Sequence, residues 1–301
     1  MSTLTLNAKA PFSQSVRRML VSYPLVSYFV LAFVGTWLFI APMVLGQDGL
    51  GFLPYHVPFG LYAVLFIASS FTGPTLAAVA VTAALQGQDG VKQFFRRYGQ
   101  WRIGWIWILL MFLGFPAIYF LAATVWMGSE PWQALLQQGS TLFTVYLPAM
   151  LIFPGFIQWG EEPGWRGFAQ TQMQRRYGVW QASLVVGFLH GLWHLPNHLL
   201  VTGPTAAGPF DPGNFALNIA LTMALSTVFT WIFNGGKQSI LVAVLTHASF
   251  NMASLWLRVL LPDQPAQVEY TALFILAAAA VAIVLLTKGQ LGYVADADVT
   301  K

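Results

Sequence analysis

PLVSYFVLAFVGTWLFIAPMVL, residues 24–45, is a run of 22 positions without a single Asp, Glu, Lys, Arg or His. A helix rises about 1.5 Å per residue, so about 20 apolar residues cross a hydrocarbon core of about 30 Å. A lipid-spanning strand needs only about ten residues and alternates in polarity. This run is too long and too uniform for that, so it reads as a membrane-spanning helix. Working outward, seven further stretches meet the same criterion or approach it: 59–85, 103–127, 141–160, 179–200, 214–233, 238–261 and 269–287. The fourth runs into Glu161 and Glu162, and the fifth carries three histidines. The expected fold is therefore all-α, a polytopic transmembrane bundle of about eight spans.

Composition agrees. The 301 residues are 57% apolar and 8% charged, against about 45–50% and about 25% in soluble domains. So few charges cannot solvate a soluble surface of this size, and the absence of Cys excludes a disulfide scaffold. The net charge of +4 is spread in short clusters between apolar runs, which points to membrane orientation; neither nucleic acid nor nucleotide is an expected partner. Lys9, Arg17, Arg18, Lys92, Arg96, Arg97, Arg102, Arg166, Arg175, Arg176, Lys237, Lys288 and Lys301 all fall on one side of the bundle. Only Arg258 falls on the other, beside loops holding Asp48, Glu130, Asp211 and Asp263. The positive-inside rule makes the basic side cytoplasmic, with both termini there. The apolar run after residue 22 is longer than a signal-peptide core, so the first span is read as retained. Gln-Asp-Gly at 47–49 and 88–90 lacks the ligand count of a calcium loop and reads as polar turns. Gly73-Pro74 and Pro116 mark kinks or close helix packing.

Ionisable groups inside a bilayer cost about 2.5–3.5 kcal/mol each on insertion scales, so their presence points to function. They concentrate in Gln158–Arg166, His190–His198 and His247–Asn251, which hold four of the five histidines. On a regular helix Glu162 and Arg166 are four apart, about 40° around the axis, in the favoured ion-pair order. Glu161 lies about 140° from Arg166 and is left as the freer carboxylate, a candidate general base. Pro163 and Gly164 weaken that geometry, and the same charges could instead close a cytosolic helix end. His190, His194 and His198 are spaced i, i+4, i+8, and His247 and Asn251 are four apart. Imidazole with carboxylate suits zinc, while a lone intramembrane His can simply bond a neighbouring helix. No H-E-x-x-H, G-x-S-x-G, Gly-rich phosphate loop or dinucleotide fingerprint occurs. What remains is water activated by a carboxylate and histidines, with or without metal.

At these residues the chain resembles the CPBP family of intramembrane proteases (CAAX prenyl protease and bacteriocin-processing, or Abi). The E-E-x-x-x-R motif matches Glu161, Glu162 and Arg166. His194 stands in a Trp-His-Leu-Pro context, but position 190 is His where the family has Phe. H-x-x-x-N matches His247 and Asn251. The resemblance covers roughly residues 60–255. It implies an integral membrane endopeptidase, in a bacterial plasma membrane, acting on a peptide or membrane-protein substrate in or near the lipid bilayer. It implies Glu161, His194, His247 and Asn251 as catalytic residues, with Glu162, Arg166 and His190 in support, His190 by packing or from behind the reacting groups. If a metal such as zinc is bound, Glu161, His194 and His247 are the implied ligands. The resemblance also favours a cavity open to the cytoplasm. The expected organisation is a cytoplasmic segment 1–22, a transmembrane protease domain 23–288 with its motif core at 155–252, and a cytoplasmic tail 289–301. Bacterial relatives are linked to bacteriocin maturation, self-immunity and peptide-signal processing. The alternative reading is a non-catalytic scaffold or immunity protein that binds a peptide or membrane partner. A transporter would show matched broken helices in its two halves, and the first four spans carry no polar counterpart to the last four.

Overall fold

The computed structural model describes residues 13–203 and 208–294; Lys9 and Lys301, used above for orientation, lie outside them. Among the described residues there are helices and no strands. An amphipathic α1 (Gln14–Ser22) precedes α2 (Pro24–Leu45), whose Pro24 sits in the first turn, where a missing N–H costs nothing. Then follow α3 (Phe59–Gly99) and α4 (Trp105–Met127), and a short α5 (Glu130–Gln138). Next come α6 (Leu142–Leu151) and α7 (Phe153–Glu162), a π-helical stretch Pro163–Gln170 and α8 (Thr171–Tyr177). The second half is completed by α9 (Val179–Trp193), the single turn α10 (Leu195–His198), α11 (Pro212–Gly235), α12 (Ile240–Leu260) and α13 (Gln267–Leu286).

Six of these helices are long and apolar enough to cross a bilayer unaided. The other two expected spans are the fourth and fifth, which carry Glu161 with Glu162 and the three histidines, and both are irregular. The fourth is broken, with Leu142–Leu151 and Phe156–Tyr177 bent by 42°. The fifth is a helix of 15 residues, about 22 Å long, extended by the turn of α10. Pro196 accounts for the stop, because it brings no N–H to the Leu192 carbonyl one turn earlier.

The kinks have identifiable causes. Pro74 lies in a π-helical turn (Phe71–Thr75) of α3. Proline removes one helical donor, and the Thr36 hydroxyl of α2 donates to the Ser69 carbonyl there at 2.7 Å, the kind of compensation a bilayer interior requires. Residues such as Leu38, Val64, Val125, Phe274 and Leu286 remain exposed around the outside, forming a lipid-facing surface. The most enclosed span is α12, with 72% of its apolar window buried against 22% for α13. His247 and Asn251 therefore stand at the centre of the bundle.

Candidate active site

The paired glutamates end α7, and the π-helical stretch after them is buried along its whole length. Pro163 interrupts the regular hydrogen-bond ladder without breaking the helix, and the wider π turn absorbs the change. This segment lies directly against the kink of α3. A Cβ at Gly164 would stand 2.5 Å from Pro74 Cβ, so only glycine permits the approach. Thr75 Oγ1 donates to the Gly160 carbonyl at 2.6 Å. Two irregular helices thus brace each other, and Glu161 and Glu162 are held at the junction.

The two carboxylates have different partners. Glu162 Oε1 accepts from Arg166 Nη1 at 3.0 Å and from His247 Nδ1 at 2.8 Å. Glu162 and Arg166 are 0% and 1% exposed, so this is a desolvated charge pair, with the Arg166 guanidinium over the Phe229 ring at 5.1 Å. Glu161 has no contact with Arg166 of this kind. Its Oε2 lies 3.2 Å from His190 Nε2 and 4.0 Å from His247 Nδ1.

His190, expected to pack or to stand behind the reacting groups, does pack and also reaches a carboxylate. It stacks between Trp165, at 4.5 Å, and His194, at 4.9 Å, and it also touches Glu161 directly. The reason lies on the neighbouring face of α9. Gly187-Phe188-Leu189-His190-Gly191 is a small-x-x-x-small pattern, which lets membrane helices approach closely. A Cβ at Gly187 would sit 2.6 Å from Met223 Cα, and one at Gly191 2.8 Å from Ile219 Cα. With α9 seated this tightly on α11, His190 and His194 are turned into the interior. The G-x-x-x-G spacing was the available sequence signal for this seating.

A cavity of about 490 Å³ is lined by Glu161, His190, His194, His247, Asn251 and Arg166, with Gln158, Asn197, Asn218 and Glu269 farther along its wall. His198 is not among the lining residues and packs on Phe215 at 5.1 Å. His56 pairs with Asp48 in the loop after α2.

Glu161, His190 and His194 each offer a ligand atom, and these atoms all lie within 4.8 Å of one another. One carboxylate and two imidazoles form a zinc-type donor set facing open space. This trio contains His190 where the sequence expectation had His247, which hydrogen-bonds Glu162 through Nδ1. Asn197 Nδ2 lies 3.3 Å from His194 Nδ1, and Asn197 Oδ1 is buried without a partner. Turning that amide over, an assignment set by the hydrogen-bond network, would let Nδ1–H donate to Oδ1 and leave Nε2 as a ligand, the usual support for a metal-binding histidine. The donor set fits a metal.

Residues 140–253, which contain every residue of this cluster, match the Rce1-like family described as type II CAAX prenyl endopeptidase. Over 262 residues the chain is 24% identical to CAAX prenyl protease 2 of Methanococcus maripaludis, spanning 84% of this chain and 91% of that protein. The likeness therefore runs over most of the helical bundle as well as the motif region, and the chain is similar to type II CAAX prenyl endopeptidases of the Rce1-like kind.

Proposed function

We propose that the chain hydrolyses a peptide bond at the membrane with a water activated by Glu161 and His194. The observation that carries this reading is the division of labour between adjacent carboxylates. Glu162 is taken up by Arg166 and His247, whereas Glu161 faces the cavity beside two imidazoles. A general base needs this kind of uncommitted carboxylate within reach of the reacting water. Glu161 takes the proton from the attacking water, and His194 orients that water and shares the charge. Asn251 offers amide donors to the oxyanion that develops on the scissile carbonyl. His247, its Nδ1 held by Glu162, stands beside it. Glu162 and Arg166 act through His247 and the π-helical stretch as positioning residues.

Glu161, His190 and His194 would hold a zinc ion. When bound, zinc supplies Lewis-acid polarisation and lowers the pKa of water. Residues 23–288 form one catalytic unit around the motif core 155–252, flanked by 1–22 and 289–301.

The test is cleavage of a co-expressed membrane-peptide library by purified protein and by Glu161→Gln. Loss of a general base costs about 10²–10⁴-fold. Equal products from both proteins would replace this reading with a peptide-binding scaffold.

A further inference from the structure

The cavity wall holds more polar groups than hydrolysis by Glu161, His194 and Asn251 uses, and most of the others are already engaged. Glu162 and Arg166 pair with each other, and Asn197 is in contact with His194. Glu269, which α13 contributes to the wall, accepts from Tyr119 at 2.7 Å, from Ser254 at 2.8 Å and from Arg258 at 3.3 Å. The charges outside the reaction are therefore compensated within the protein.

Two carboxamides are left over. Gln158 Oε1 and Asn218 Nδ2 are both buried and have no hydrogen-bond partner among the described residues, and both side chains line the cavity. A buried amide atom without a partner is costly, so an orphan of this kind in a native structure calls for an explanation. Filling space does not explain it, because Met and Leu occupy similar volumes and bring no group to satisfy.

Both amides stand close to the reacting groups. Gln158 is three residues before Glu161 on α7, about 4.5 Å along the axis, and residues so spaced share a helix face. Asn218 precedes Ile219 on α11, and a Cβ at Gly191 would sit 2.8 Å from Ile219 Cα. Gly191 follows His190, so Asn218 lies near the level of the imidazoles. The two carboxamides thus reach one cavity from two different helices.

The rest of the lining is largely apolar, with Phe66, Ile157, Leu221, Leu225, Phe250 and Leu273. A peptide drawn into such a space gives up water along its main chain, and each N–H and C=O then needs a new partner. A carboxamide suits that task because it carries donors and an acceptor without net charge. Its terminal torsion is soft, so either end can be turned to the ligand.

We infer that Gln158 and Asn218 are substrate-binding residues, whose carboxamides hydrogen-bond the main chain of an extended, apolar peptide segment beside the scissile bond. The inference rests on the proteolytic reading above for the identity of the ligand, while the two contacts can be measured without cleavage.

The probe is a short peptide taken from the membrane-peptide library as the tightest binder of Glu161→Gln protein. It is resynthesised with one backbone amide at a time replaced by an ester, which removes an N–H and weakens the adjoining carbonyl as an acceptor. Binding to Glu161→Gln is read by fluorescence anisotropy in one detergent, and kcat and KM are read without that substitution. Esters at two positions are expected to weaken binding by about 2–10-fold each, the scale of one hydrogen bond. One loss should vanish when Gln158→Met is added and the other when Asn218→Leu is added. Each variant should raise KM with kcat nearly unchanged, the mark of an interaction equal in ground and transition states. A side chain that only supports the fold would leave every ester loss in place. Should either variant fail to fold, Gln158→Asn or Asn218→Ser takes its place. Ester losses that persist in all the variants, or no ester loss at all, overturn the two contacts, and cleavage by wild type then leaves the proteolytic reading standing. The expected couplings with no cleavage by wild type do the reverse. A library from which nothing binds and nothing is cut overturns both.

Discussion

Removing either member of the Glu162–Arg166 pair tests whether this buried ion pair organises the site. Both side chains are out of solvent, at 0% and 1% exposure. Breaking such a pair costs about 3–5 kcal/mol, because the remaining charge is left uncompensated. The structure makes the two losses unequal. After Arg166→Met, Glu162 keeps its hydrogen bond from His247 at 2.8 Å, so the loss should fall near the lower figure, about 3 kcal/mol. After Glu162→Gln, the Arg166 guanidinium has no other carboxylate within salt-bridge distance among the described residues, and its Nε is already unpartnered. That loss should approach about 5 kcal/mol. At about 2–4 °C per kcal/mol for a large domain, the melting temperature should drop by about 6–12 °C and about 10–20 °C respectively. The double replacement removes both charges together and should recover part of the loss, a coupling that a double-mutant cycle reads directly. Thermal unfolding of the four proteins in one detergent, without added metal, supplies the data. Strictly additive losses, or Arg166→Met as the more damaging change, would refute the pairing argument.

Alanine at His190 and at His194 should each lower bound zinc measured by mass spectrometry, while His198→Ala retains it; full zinc in His190→Ala would return His190 to a packing role. Gly191→Leu should destabilise by at least about 1–3 kcal/mol, the usual scale of overpacking, because its new side chain meets the Ile219 backbone. An unchanged melting temperature would show that α9 and α11 are not seated as described. Asp48 gives an acid-side prediction. Hydrogen bonds from His56 at 2.9 Å and from the Val57 N–H at 2.8 Å hold its carboxyl below the ordinary range. A lowered folded pKa means the stabilisation is complete above the unfolded value of about 3.9 and disappears as pH falls through the folded one. Asp48→Asn should therefore flatten the stability profile below about pH 4, and an unaltered acid limb would remove this loop from the account.

Membrane insertion, helical class and the orientation argument were legible in one dimension, because each rests on a property that residues carry singly. An apolar residue favours lipid and a Lys or Arg resists translocation whatever packs beside it, so residues 24–45 and the placement of thirteen basic residues needed no fold to be read. The ion pair of Glu162 with Arg166 was legible for a related reason: four residues on one helix are neighbours by helical geometry, and the π-helical turn did not separate them. Tertiary structure decided what depends on partners from elsewhere in the chain. Whether His247 serves Glu161 or Glu162 turns on a contact across 85 residues, and His190 meets Glu161 across 29. The breaks in the fourth and fifth spans follow from local prolines. Their consequence, a π-helical stretch lodged against the α3 kink with glycine at the contact, appears only when two segments about 90 residues apart are packed. The bonds of Arg97, Gln174 and Asn234 that tie several helices together at the basic end were likewise decided by packing, because hydrogen bonds across helices are not written in any one helix's sequence.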